Sequence, residues 1–182
     1  MITVKSIENI NNTHVWLATS QGVSIINIFN NEVKNYLADH NLSTSIAHND
    51  VFKVKKDQSN RVWIGTQNGL SIYDPKANLV KSSSQINLLL NGAVDSIVQL
   101  GNDIWFSNNG SLFKLNQNKK SLEKINISLS SPIYQILSNN HSLSLLTENN
   151  ELFTLEQDNK KTKNPIRKSI PKTDAWRKIE LI

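Results

Sequence analysis

At 182 residues, 38% hydrophobic and 19% charged, the chain suits one domain with a substantial core, or one part of a larger domain, and is too short for a multidomain enzyme. Six Gly, four Pro and no Cys exclude collagen-like repeats, disulfide scaffolds, thiolate metal sites and cysteine nucleophiles. The net charge of +5 resides wholly in residues 158–182, with 8 basic and 3 acidic side chains, because residues 1–157 hold 12 of each sign. That basic segment has no interleaved aromatics to stack on bases, so a nucleic-acid partner is not expected. No apolar run has the length of a transmembrane helix, and Met1-Ile2-Thr3-Val4-Lys5 lacks the order of a signal peptide, so this segment is expected to make no membrane contact.

One pattern recurs along the chain. His14-Val15-Trp16-Leu17-Ala18-Thr19 returns as Arg61-Val62-Trp63-Ile64-Gly65-Thr66, as Asp103-Ile104-Trp105-Phe106-Ser107-Asn108 and, more faintly, as Ser142-Leu143-Ser144-Leu145-Leu146-Thr147, at spacings of 47, 42 and 39 residues. Upstream of each lies an alternating segment: Val4-Lys5-Ser6-Ile7, Val51-Phe52-Lys53-Val54, Val94-Asp95-Ser96-Ile97 and Ile133-Tyr134-Gln135-Ile136. Downstream come segments opened by Gly22, Gly69, Gly110 and Asn150, residue types that tolerate positive φ. A fourth, weaker segment closes each unit, as in Glu32-Val33-Lys34-Asn35-Tyr36 and Ser121-Leu122-Glu123-Lys124-Ile125.

Short period-two segments bounded by Asn, Asp, Gly, Ser or Pro are strands joined by tight turns. Four strands per unit and a period near 42 match the blade of an all-β propeller. A sandwich would not repeat in sequence, and a β-helix has a shorter period. Blades are predicted over about 1–47, 48–90, 91–130 and 131–170, with residues 174–182 as the first strand of a fifth. That count points to a piece of a larger, seven-bladed propeller, with further blades as partners and pairing into a homodimer through open edges as an option.

Trp16, Trp63 and Trp105 recur at one pleat position and are read as scaffold, each burying about 150–250 Å² between blades. Gly65 is read as the small residue that lets the neighbouring blade approach, with Ala18 and Ser107 in the same place, while Gly22 and Gly69 open third strands. Asp57-Gln58-Ser59-Asn60 reads as a hairpin turn capped by its own side chains. His14, His40, His48 and His141 show no metal-ligand spacing, and neither a metal, a cofactor nor a catalytic constellation is expected.

Asp50-Val51-Phe52-Lys53-Val54 through Arg61-Val62-Trp63-Ile64-Gly65-Thr66-Gln67-Asn68-Gly69-Leu70-Ser71-Ile72-Tyr73-Asp74 resembles the two-component regulator propeller repeat. The first unit keeps the pattern in Trp16-Leu17-Ala18-Thr19 and Gly22-Val23; it fades in the third and fourth. The resemblance implies a non-catalytic, extracytoplasmic (periplasmic) input module of a bacterial sensor histidine kinase, commonly binding a carbohydrate or other small ligand and passing the signal to downstream domains. Input to a diguanylate cyclase and a protein-interaction scaffold are the alternatives. The ligand surface is expected on the face shared by the turns at 19–22, 66–69 and 108–110 and the connections 39–50 and 82–93, with Gln67, Asn68, His48 and Asn49 nearest the best-matched blade.

Overall fold

The computed structural model describes residues 1–39, 41–42, 44–82 and 90–156, and the backbone of 166–169. The described residues contain strands and no helix. Blade one comprises β1 (Val4–Asn9), β2 (His14–Thr19), β3 (Gly22–Asn27) and β4 (Val33–Tyr36), and blade two β5 (Val51–Lys56), β6 (Val62–Thr66), β7 (Gly69–Asp74) and β8 (Leu79–Ser82). Blade three comprises β9 (Ile97–Leu100), β10 (Asp103–Asn108), β11 (Ser111–Asn116) and β12 (Ser121–Lys124), and blade four β13 (Ile133–Ser138), β14 (Ser142–Thr147), β15 (Glu151–Glu156) and β16 (Ile166–Ser169). Each blade is a four-stranded antiparallel meander in chain order. The all-β propeller architecture expected from the repeat is therefore present in four blades; the expected fifth-blade strand at 174–182 lies outside the described residues.

The turns form as their residue types require. Gly22, Gly69 and Gly110 adopt φ of 98°, 94° and 69°, and Asn150 does the same job at 61°. Thr19 and Thr66 close their hairpins by donating the hydroxyl to the carbonyls of Gly22 and Gly69, 2.8 Å in both cases, while accepting from the amides of Gln21 and Asn68. Blade three departs from the expected start: Val94-Asp95-Ser96 precede rather than begin its first strand. Val94 instead donates its amide to Thr66 of blade two (2.9 Å), which draws the segment across the seam before the ladder begins at Ile97.

Three apolar clusters join consecutive blades. Trp16, Ala18, Val23 and Ile25 pack on Val51, Val54, Val62 and Ile64. Trp63 and Leu70 pack on Val94, Ile97, Ile104 and Phe106, and Trp105 and Leu112 on Ile133, Ile136, Leu143 and Leu145. The three tryptophans are 2–3% exposed, as interior scaffold should be. Each blade thus has a trailing face, built on a tryptophan and a small residue two positions later, and a leading face of branched aliphatics that receives it. Gly65 shows why that residue must be small: a Cβ there would stand 2.4 Å from the carbonyl oxygen of Val94.

Asp57 does more than cap its turn. Its Oδ1 accepts from the amides of Ser59 (2.8 Å) and Arg61 (3.0 Å), and its Oδ2 from Arg61 Nε (2.8 Å) and the Trp63 indole N–H (2.9 Å). A buried carboxylate is tolerated here because it gains four donors and an ion pair with Arg61. Urea unfolding should show Trp63→Ala losing about 3–5 kcal/mol through its cavity. Gly65→Val should lose about 1–3 kcal/mol through overpacking against the Val94 backbone. Circular dichroism should show β-structure with almost no helix.

Candidate functional site

The first strands adjoin one another in order, β1 beside β5, β5 beside β9 and β9 beside β13, and so surround the axis. In three of them the ladder to the second strand carries a bulge: the register skips Lys5, Phe52 and Tyr134. A bulged residue leaves the in-and-out alternation and is re-aimed by the local kink. The result is a ring of four quasi-equivalent residues, Lys5, Phe52, Asp95 and Tyr134, lining one axial concavity of about 460 Å³ together with Lys53, Gln135 and Glu148.

This concavity opens at the end that carries the second-to-third-strand hairpins. There, the hairpin glycines of blades one to three bond the segment leading into the next blade: Gly22 donates to Asn49 (2.6 Å), Gly69 donates to Gly92 (2.7 Å), and Gly110 accepts from Ile133 (2.9 Å). Glu148, on the hairpin of blade four, joins the rim through its amide bond to Pro132 (3.0 Å).

The mouth holds both signs of charge beside two aromatic faces. Lys5 is committed, pairing with Asp50 and lying 4.0 Å over the centre of the Phe52 ring. Lys53 makes no ion pair among the described residues. Burial pushes the Asp95 carboxyl above the ordinary range, Glu148 adds to the rise, and Lys5 opposes it. An ammonium, two carboxylates, the Gln135 amide and the Phe52 and Tyr134 rings can together hold a polar ligand that presents donors, acceptors and an apolar face.

The residues expected from sequence sit at this same end, on the hairpin of blade two and on the connection that leads into its first strand. His48 accepts the Asp50 amide on Nδ1 (2.9 Å), and Asn49 accepts the Ala38 amide on Oδ1 (2.7 Å). Gln67 and Asn68 are exposed on the hairpin of blade two, where backbone amides bond Asp50 and Thr66. The structure places none of the four in the axial concavity. The concavity is lined instead by Lys5, Phe52, Asp95 and Tyr134, which the sequence reading does not single out. One signal was available: at this repeat position the residue type changes from basic to aromatic to acidic to aromatic, while the residue before it stays Val or Ile. Among the described residues no group of three or more His, Cys, Asp or Glu forms that could hold a metal ion.

The raised Asp95 fixes the sign of a pH effect. As pH rises, the unfolded chain releases this proton first, so the stability this group contributes is present at acid pH and is lost as pH climbs from the ordinary carboxylate range through the folded value. Asp95→Asn should flatten that part of the profile and leave neutral-pH stability equal or higher, as read from urea midpoints between about pH 3 and about pH 8.

No family model and no curated protein matches the sequence. Solved structures do. Two extracellular domains assigned to hybrid two-component systems of B. thetaiotaomicron superpose with TM-scores of 0.74 and 0.70 at 15% and 19% identity, over 88% and 87% of this chain and 23% and 21% of theirs. An auxiliary nutrient binding protein from Bacteroides thetaiotaomicron superposes at 0.69 with 10% identity, over 90% of this chain and 41% of its own. The chain thus spans less than a quarter of the length of the two-component domains it matches. At these identities the likeness is one of architecture: this chain has a four-blade propeller arrangement like that of extracellular domains assigned to hybrid two-component systems.

Proposed function

We propose that the chain is a non-catalytic ligand-recognition section of an extracytoplasmic sensory propeller, the input part of a bacterial two-component sensor. The observation that carries this reading is the axial mouth, where one repeat position is diversified into Lys5, Phe52, Asp95 and Tyr134 on an otherwise uniform frame. A scaffold position repeats; a recognition position differs from blade to blade because a ligand is not four-fold symmetric. The neighbours support the role, being extracellular domains assigned to two-component systems and a nutrient binding protein. Signalling then requires that the ligand bind one arrangement of the receptor better than another.

The chemistry of the mouth favours a neutral polar molecule with a ring face, such as an oligosaccharide, over a strongly charged one, because ammonium and carboxylates oppose each other there. A protein-interaction scaffold is the second reading, supported by the exposed Ile28 and Phe29 at the tip of the β3–β4 hairpin.

The test is a thermal-shift and calorimetric screen with maltotriose, cellotriose, chitotriose and a neutral tripeptide. At least one saccharide should stabilise the chain, and Lys53→Ala with Asp95→Asn should remove that gain. By contrast, His48→Ala with Gln67→Ala should leave it, while changing stability by no more than about 1 kcal/mol. Binding that survives in the first pair and disappears in the second would move the site to the hairpin turns.

A further inference from the structure

The leading face of blade one has the sequence of a core and the exposure of a surface. Val4, Ile7, Val15 and Leu17 occupy the repeat positions of Val51, Val54, Val62 and Ile64 in blade two. All four residues of blade two are 0% exposed, and Val94, Ile97, Ile104 and Phe106 of blade three are equally covered. In blade one, Val4 is 49% and Ile7 63% exposed, and Val15 and Leu17 are only partly buried. Ile2, also exposed, extends the patch.

We propose that this face is a docking surface for one kind of partner: a further propeller blade whose second strand carries a tryptophan and, two residues later, Gly, Ala or Ser. The three interfaces within the chain define that chemistry. Each leading face receives an indole and a small residue, as Trp16 with Ala18, Trp63 with Gly65 and Trp105 with Ser107.

The chain's own fourth blade does not supply this partner, either by closing a ring or from a second copy. Its trailing face inverts the pair, with Ser144 in the tryptophan position and Leu146 in the small one, and both are partly exposed. At this repeat position Ala18 and Ser107 are 0% exposed, and at Gly65 even one added carbon would stand 2.4 Å from the Val94 carbonyl oxygen. A leucine side chain there holds an incoming blade away, and the serine leaves a void where the indole belongs. Among the described residues no apolar cluster joins blade four to blade one. The two ends of the four-blade unit are therefore unlike: one accepts a standard blade, and the other does not offer one.

Analytical ultracentrifugation of the 182-residue chain tests this directly. The unmodified chain should sediment as a monomer. Ser144→Trp with Leu146→Gly converts the fourth trailing face to the standard chemistry and should drive association of copies, and adding Ile7→Asp should return the monomer. Association of the unmodified chain that Ile7→Asp abolishes would make a second copy the occupant and overturn the proposal. So would a folded double variant that stays monomeric.

If that variant fails to fold, a second copy of residues 48–90 fused ahead of Met1 decides the matter by hydrogen exchange. The fused blade should slow exchange at the amides of Val4 and Ile7 by about tenfold or more. The same fusion carrying Trp63→Ser and Gly65→Leu in the added copy alone should not. Equal protection by both fusions, or by neither, refutes the stated chemistry. These readouts need no ligand, so they stand or fall independently of the recognition role.

Discussion

The approach of one blade's backbone to the next at a single small residue governs the rest of the molecule. Where Gly65 faces the Val94 carbonyl there is no room for a further atom, and the Trp63 indole fills the wider gap beside it. Small residue and tryptophan work as a wedge, tight on one side and bulky on the other, and a repeated wedge turns successive sheets about an axis. The turn from each of the first three blades to the next is thus a packing consequence of a tryptophan and a small residue, beside the bulges of the first strands. It also explains why the first strands converge closely enough to bond across their seams. Ser96, immediately before β9, accepts the Ile136 amide of β13 on its hydroxyl at 2.9 Å.

The three interfaces solve this requirement with different material. Between blades one and two, Trp16, Tyr36 and Tyr73 form an aromatic trio with centroids 5.0–6.0 Å apart. At the Tyr73 position blades three and four carry Leu115 and Leu155, both buried. Among the described residues, Trp63 alone has its indole N–H satisfied by a carboxylate, and Trp105 buries the same group without a partner. An unpaired buried donor of that kind lowers the stability of its interface by about 1–3 kcal/mol. The second and third blades are both tied on two faces, but only the second has its indole pinned by a carboxylate, that of Asp57.

The architecture was legible in the sequence because it is encoded by recurrence. Trp16, Trp63 and Trp105 mark the same pleat position, and Asn150 could be read as a turn residue although the other blades use glycine. The lining of the axial mouth was less legible. Period-two reading assigns Lys5, Phe52 and Tyr134 by parity, but a bulge breaks parity at each, and bulges leave no mark in composition. Polar turn residues drew attention instead. Nothing in sequence reveals that His48 Nδ1 and Asn49 Oδ1 accept the amides of Asp50 and Ala38. The start of β9 was misread for a related reason: Val94 has the alternation of a strand, yet its amide is taken by the neighbouring blade.

A residue at a bulge has left the ladder, and its side chain owes little to the pleat around it. Lys5, Phe52 and Tyr134 can therefore be exchanged for almost any side chain while the valines and isoleucines beside them keep the sheet intact. The fold in this way separates heritable variation in what lines the axis from variation that would unfold the blade. A lineage built on such a frame can change the lining of its axial mouth one blade at a time, with each intermediate still folded.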